Sequence, residues 1–543
     1  MIKKYGLWYA VKYYNLIEFF LAVILLVLFK EQLTLYLLNL SGITEYENPT
    51  IYELSFKLLP LLFLSIWAGI FFSHCRNQRY RYQTGRNYSY DSGHYKRSYR
   101  WLIDYFQDAE PHKLDTSSFP EQTWRETKGL IFGMDRKKII SIPSDSECNI
   151  AIFGPPGSGK TSGIAIINAM QFEGSVLAVD IKGDIYNYVH KNSDRKIIRF
   201  APDTPDALQI SCHFDPLAGF KTMSETDQKL YLENMATILI PDEGGNDGNY
   251  FATRARKLFQ GISHLILHEN PDASFPTIIH AILKGNVFDW VTQSIESDCE
   301  TSKELLASFY GNNEKNVSGA YDALTTALTH FSNPILDELL TGGKNCVSID
   351  SLEQGYDVYL QIAQEHLDAY APIFTLLIQS FSTGFTKRSD SSTGIKNRPI
   401  LMLLDEFPQL TFSYKMINSN LSTLRSKSVI CMIIQQNLSQ LQHRYQPTGT
   451  QSIIGNCNYQ IILGSNDINS SKTFSETFGM KKVLKISNNI THSSQASSGR
   501  SVQEAEIRVF PPEYFGDLSA QSKMIIYFKG KYSEISKINC YKD

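Results

Sequence analysis

The chain lacks the patterns that build metal centres and disulfide scaffolds. Its eight cysteines in 543 residues stand singly, at Cys75, Cys148, Cys212, Cys299, Cys346, Cys431, Cys457 and Cys540, with no CxxC pair and no metal-ligand spacing. Reduced, structural thiols in a cytosolic setting are the reading that fits. There is no HExxH: the only approach to one, His-Glu-Asn-Pro-Asp at His268, fails the pattern. That argues against a membrane-bound zinc protease. No GxGxxG fingerprint marks a dinucleotide site. Charge of one sign is also scarce in excess, since 52 Lys and Arg face 55 Asp and Glu for a net charge of −3. Any nucleic-acid contact must therefore be a local patch and not a field of the whole chain.

Two long apolar runs lie near the N-terminus. The first, Tyr13 to Phe29, holds twelve Leu, Ile, Val or Phe between Leu16 and Phe29. On an insertion scale these contribute about −4 to −7 kcal/mol, against at most about +3.5 for Glu18. Insertion wins. The basic start, Lys3 and Lys4, would suit a signal peptide, but no small-residue cleavage site follows. The second run, Leu54 to Phe72, carries one charge, Lys57, and one proline, Pro60, which a membrane helix tolerates. Between the runs, residues 39–53 contain no Lys or Arg, whereas Lys3, Lys4 and Lys12 precede the first and Arg76, Arg79, Arg81 and Arg86 follow the second. The positive-inside rule predicts a two-helix anchor in the cell membrane, both termini in the cytoplasm and a short loop outside.

The strongest motif is Gly154-Pro155-Pro156-Gly157-Ser158-Gly159-Lys160-Thr161-Ser162. It satisfies GxxxxGK[ST], follows an apolar strand and opens a helical segment. Such a loop turns backbone N–H groups around phosphates and aims a helix N-terminus at them. Lys160 suits the β/γ-phosphates of ATP and the Thr161 hydroxyl suits Mg2+. A second apolar strand, Ile400 to Leu404, delivers Asp405 and Glu406 at its carboxyl end. Asp405 suits a magnesium contact. Glu406 suits a general base on the attacking water. A third strand ends on Gln435 and Gln436 at the same predicted edge. A glutamine there either orients water and senses the γ-phosphate, or is a solvated strand end. Arg425, just before that strand, fits an arginine finger acting across a subunit boundary, or a surface arginine.

Further apolar strands around Val176 to Ile181 and in Arg-Lys-Ile-Ile-Arg-Phe, Gly-Tyr-Asp-Val-Tyr-Leu and Asn-Tyr-Gln-Ile-Ile-Leu alternate with helical stretches. They predict an α/β fold, a mostly parallel RecA-like P-loop NTPase sheet. Between about 216 and 350 the spacing of apolar residues turns helical. The predicted organisation is an anchor at 1–75, a nucleotide-binding part at 76–215, an inserted all-α domain at 216–350 and a second nucleotide-binding part at 351–543. Arg254, Arg256 and Lys257 in the insertion read as a solvated helix face, with DNA or partner contact as the alternative. Residues 486–503, rich in Ser and Asn, read as an exposed loop.

Taken together, the phosphate loop, Val-Asp-Ile-Lys-Gly-Asp at 179–184, Leu-Leu-Asp-Glu-Phe at 403–407, Gln-Asn-Leu-Ser-Gln-Leu at 436–441 and Gly-Asn-Cys-Asn-Tyr-Gln-Ile-Ile-Leu-Gly-Ser-Asn-Asp at 455–467 resemble the type IV coupling proteins, the TraG/TraD-like ATPases of conjugation and type IV secretion. The resemblance runs over nearly the whole chain. It implies ATP and Mg2+ as ligands, Lys160 and Thr161 as the nucleotide grip, Asp405 and Glu406 as the magnesium and water residues, and Gln436 as the family's glutamine. Arg425 matches a family arginine. Asp215 stands where the family often has the Asn of Asn-Pro-Leu. The implied partners are relaxase-bound single-stranded DNA, relaxosome or effector proteins, the secretion channel, the cytoplasmic membrane and further copies in a homo-hexamer. Two rivals stand beside this reading: an FtsK/HerA-type DNA pump, and a nucleotide-binding membrane receptor that does not pump.

Overall fold

A computed structural model describes residues 114–542 apart from 242–245, 344–345, 395, 411 and 492–496. The predicted membrane hairpin lies outside the described residues. Among the described residues thirteen strands occur in chain order: β1 (Leu130–Asp135), β2 (Lys138–Ile142), β3 (Ile150–Phe153), β4 (Ser175–Ile181), β5 (Ile197–Phe200), β6 (Asp357–Ile362), β7 (Ile400–Leu404), β8 (Val429–Gln435), β9 (Tyr459–Ile462), β10 (Met480–Thr491), β11 (Ser497–Arg508), β12 (Lys523–Phe528) and β13 (Lys531–Ser536). Eleven form one sheet in the order β2-β1-β13-β12-β9-β3-β8-β7-β4-β6-β5. The run from β9 to β5 is parallel throughout, and the four strands beyond β9 continue it antiparallel.

The parallel strands read as unbroken apolar runs because both faces are covered. Ala151 and Phe153 of β3 enter one core, which also takes side chains from the helices between β5 and β6. Ile150 and Ile152 enter the other, with Ile164 and Ile167 from the segment after the phosphate loop. Alternation of side chains along a strand divides them in this way. Residues 112–479 with 508–543, sheet and helices together, form one compact unit.

Between β5 and β6 the described chain folds into helices, among them Glu225–Leu239, Asn246–Glu269 and Glu314–Leu328. Here the solvated-face reading of the basic residues needs correction. Arg254 is half-buried, its guanidinium 4.3 Å from the Phe309 ring centroid. The Arg256 Nε donates to the Ile240 carbonyl at 2.7 Å. Lys257 is exposed.

Residues 486–491 and 497–503 are also not the loop that the composition of this stretch predicts. The chain pairs there as the strands β10 and β11, a two-stranded sheet. Backbone hydrogen bonds make such a ribbon, and those leave no mark in a Ser- and Asn-rich sequence. The β12–β13 hairpin did carry a signal. Its two-residue turn, Lys529 (φ 46) and Gly530 (φ 79), is left-handed at both positions, the turn that matches strand twist.

One buried side chain fastens the phosphate-loop helix to the sheet. Asn168, fully buried, accepts the Ile131 N–H at 2.7 Å and donates to the Ile131 carbonyl at 2.8 Å and the Ile164 carbonyl at 2.9 Å. Asn168→Leu keeps the volume and orphans both groups of Ile131. Stability should fall by about 2–6 kcal/mol, at 1–3 for each unsatisfied group. A urea midpoint equal to that of the parent would contradict this role.

Candidate nucleotide site

Three strand ends build the site. β3 leads into the loop 154–160, and the Gly154 N–H donates to the Gln435 carbonyl at 3.2 Å. The loop is thereby tied to the end of β8. Gly157 (φ 76) and Gly159 (φ 97) adopt left-handed backbone, and space beside Gly157 is open where a Cβ would stand. Neither of their N–H groups finds an acceptor among the described residues. The Ser158 Oγ is buried and unpartnered as well. Unpaired amides and a hydroxyl in a loop ahead of a helix are what a polyphosphate would satisfy. The first helical turn, Thr161–Ala165, is a wide π turn, a feature met often at functional sites. Pro155 and Pro156 lie between the strand and the turn, and the Ser162 carbonyl accepts the Cys540 N–H at 3.2 Å.

Lys160 folds over the loop. Its Nζ donates to the carbonyls of Gly154 at 2.6 Å and Pro155 at 3.3 Å. Burial pulls its pKa down, and the charges of Glu406 and Asp405 oppose that pull. Lysine and carboxylates therefore share one electrostatic cluster.

Asp405 and Glu406 leave β7 at the same edge. Asp405 is 7% exposed. Burial, then the neighbouring Glu406 charge, pushes its pKa up to about 6, while Lys160 works the other way. Glu406 sits at φ 48, left-handed for a residue with a Cβ, a cost of about 1–3 kcal/mol. Its N–H donates to the Asp405 carboxylate at 3.1 Å, and its carbonyl accepts the Gln409 N–H at 2.9 Å. The turn so held aims the Glu406 side chain at Gln436. The Gln436 Nε2 donates to both Glu406 oxygens, at 3.2 and 3.4 Å. Gln435 is different. Its side chain is fully buried with neither amide atom partnered, and only its carbonyl serves the loop.

Arg425 does not join this cluster. It lies in the turn Leu424–Lys427 before β8, half-buried, with Nη1 donating to Asn458 at 3.4 Å. Asn458 in turn accepts the Asn149 N–H at 3.1 Å, at the amino end of β3. Seven residues of β8 separate Arg425 from the phosphate loop's edge, about 20 Å at the rise of a strand.

Asp180, at the end of β4, escaped sequence reasoning. It is fully buried. Its carboxylate accepts the N–H groups of Ile185 at 3.3 Å and Tyr186 at 2.7 Å, and Gln361 Nε2 at 3.4 Å. Burial pushes its pKa up to about 7. Its folded-state pKa is raised, so between about 4 and 7 the folded chain holds a proton that the unfolded chain has lost. Stability from this group then falls as pH rises through that window. In urea titrations, the difference between parent and Asp180→Asn should decline from pH 4 to pH 7. A difference that rises over this range would refute the raised pKa.

The described cysteines are all free thiols. Comparison with known proteins places the chain. The family model for Type IV secretory system Conjugative DNA transfer matches residues 115–543. Protein VirD4 of Rhizobium radiobacter is 22% identical over 432 residues, 78% of this chain and 62% of that protein. Conjugal transfer protein TraG of Escherichia coli is 21% identical, over 70% of this chain and 65% of that protein. The chain thus spans less than two thirds of the length of these curated relatives. Among solved structures, the conjugative coupling protein TrwBdeltaN70 in complex with sulphate superposes with a TM-score of 0.59 at 15% identity, covering 80% of this chain and 94% of that one. TrwB in complex with the ATP analogue ADPNP gives 0.58 at 14% identity, with 80% and 95% covered. The likeness in structure shows a shared α/β fold with a large parallel sheet. With the family model matched over residues 115–543, the chain belongs to the family of type IV secretory system proteins for conjugative DNA transfer.

Proposed function

We propose that this chain is a membrane-anchored ATPase that couples DNA–relaxase complexes or effector proteins to a type IV secretion channel and drives their transfer. The observation that carries the reading is the meeting of Glu406 and Gln436 beside the phosphate loop. Such a loop binds nucleotide; a positioned carboxylate beside it hydrolyses nucleotide. Relatives support the rest: TraG is named for conjugal transfer, and TrwB has been solved with an ATP analogue and with ADP and Mg2+.

ATP would lie on the loop 154–162, with Lys160 against its β/γ-phosphate oxygens. Thr161 and Asp405 would hold Mg2+, which supplies charge neutralisation at those oxygens. Glu406 takes the proton of the attacking water, and the Gln436 amide holds its carboxylate in position. Arg425 lies too far to serve its own subunit's site, so as a catalytic group it would serve a neighbour in a homo-hexameric ring. We assign 1–75 to the anchor, 76–215 and 351–543 to the nucleotide-binding domain and 216–350 to an all-α insertion that meets cargo.

The test is steady-state ATPase of the full chain in detergent, with single- or double-stranded DNA added. Turnover that needs Mg2+ and rises with DNA is expected, and DNA affinity that weakens with salt and ignores sequence. Tight nucleotide binding without turnover would favour a receptor over a pump. For the anchor, reporter fusions at Glu47 and at the C-terminus should report outside and inside respectively. An external signal from the C-terminus would overturn the topology.

A further inference from the structure

The loop after β4 reaches the same edge, and none of the roles above uses it. β4 and β7 pair in parallel with Val179 opposite Leu404, so Asp180 stands beside Asp405. The chain then turns at Lys182, with φ 86. Six non-glycine residues among those described have left-handed φ, and two of them, Glu406 and Lys182, stand at this edge. Such backbone persists where the surroundings over-determine it, and it gathers at functional sites. Here the surroundings are plain. The Lys182 N–H donates to the Ile362 carbonyl at 3.4 Å and the Gly183 N–H to the Asp180 carbonyl at 3.3 Å. The Asp180 carboxylate holds the N–H groups of Ile185 and Tyr186 just beyond. The clamp lifts Lys182 out of the strand. Its side chain is exposed, and its ammonium makes no hydrogen bond or ion pair among the described residues. Yet its charge acts on both Lys160 and Asp405. Two cations brought to one edge repel each other, and a polyanion between them removes the repulsion.

We propose that Lys182 is a second cation of the nucleotide site and contacts the terminal phosphate oxygens of a nucleotide held on the loop 154–161. The inference rests on the nucleotide-binding reading above. A bystander that only balances Asp405 would instead act through the metal.

The experiment therefore measures binding of ATPγS and of ADP to the full chain in EDTA, by displacement of a fluorescent nucleotide. Lys182→Met should weaken ATPγS by about ten-fold or more, the worth of one charge-assisted contact, and leave ADP within about two-fold. Lys182→Arg should recover most of the loss. Lys182→Gly relieves the left-handed backbone, so it folds at least as well as the parent and should repeat the loss if Lys182→Met proves unstable. Equal effects on both nucleotides, or none, in a variant that melts like the parent would overturn the proposal. Parent protein that binds neither nucleotide, in EDTA or with Mg2+ restored, would instead overturn the nucleotide site itself.

Discussion

Glu406→Gln should bind ATP as the parent does and turn it over about 10² to 10⁴ times more slowly, the usual worth of a positioned general base. The amide keeps the shape of the carboxylate but cannot accept a proton from water. Its carbonyl can still take the Gln436 amide that now reaches both Glu406 oxygens, so the turn at φ 48 should stay as it is. The binding constant and the unfolding midpoint are therefore controls, and kcat is the readout. Lys160→Ala should fail earlier, at binding. If Glu406→Gln retains more than about a tenth of parental kcat, the base is elsewhere, and Asp405 becomes the group to examine.

The second large effect belongs to Arg425. A finger is worth about 10³ to 10⁵ in phosphoryl-transfer rate, so if hydrolysis occurs between subunits as proposed, Arg425→Ala should nearly silence turnover while leaving ATP binding intact. The fold adds a constraint. Arg425 sits at the amino end of β8 and Glu406 at the carboxyl end of β7, two parallel neighbours. The two defects therefore lie at opposite edges of the parallel strands. Mixing Arg425→Ala with Glu406→Gln should restore part of the activity, because some boundaries then pair an intact arginine with an intact glutamate. Lys160→Ala mixed with Glu406→Gln should restore none, since both defects fall in one half-site. The rival role is structural: Arg425 donates to Asn458, which braces Asn149. Under that role Arg425→Ala loses stability, and the first mixture stays as dead as its parts even though mixed rings form.

Which features were legible in the sequence follows from how local each one is. The phosphate loop is a contiguous run whose chemistry depends on its own backbone, so Gly154 to Ser162 could be named without a fold. The buried strands β3, β4, β7 and β8 announce themselves because a strand covered on both faces must be apolar along its length. β1 and β2 carry no motif, and parts of β10 and β11 fall in a stretch whose composition reads as a loop; strands pair through backbone groups, and pairing partners are not written in composition.

The tertiary structure decided everything that depends on register and on strand direction. Gln435 and Gln436 are adjacent and chemically alike, and alternation across the sheet buries one and turns the other to Glu406. Asp180 and Asp405 lie far apart in sequence and become neighbours only because Val179 pairs with Leu404. Lys182 reads as an ordinary lysine until the clamp around Asp180 sets its backbone. Parallel pairing sends every strand's carboxyl end to one edge, and that single geometric fact gathers Lys160, Asp405, Glu406 and Gln436 there and leaves Arg425 at the other.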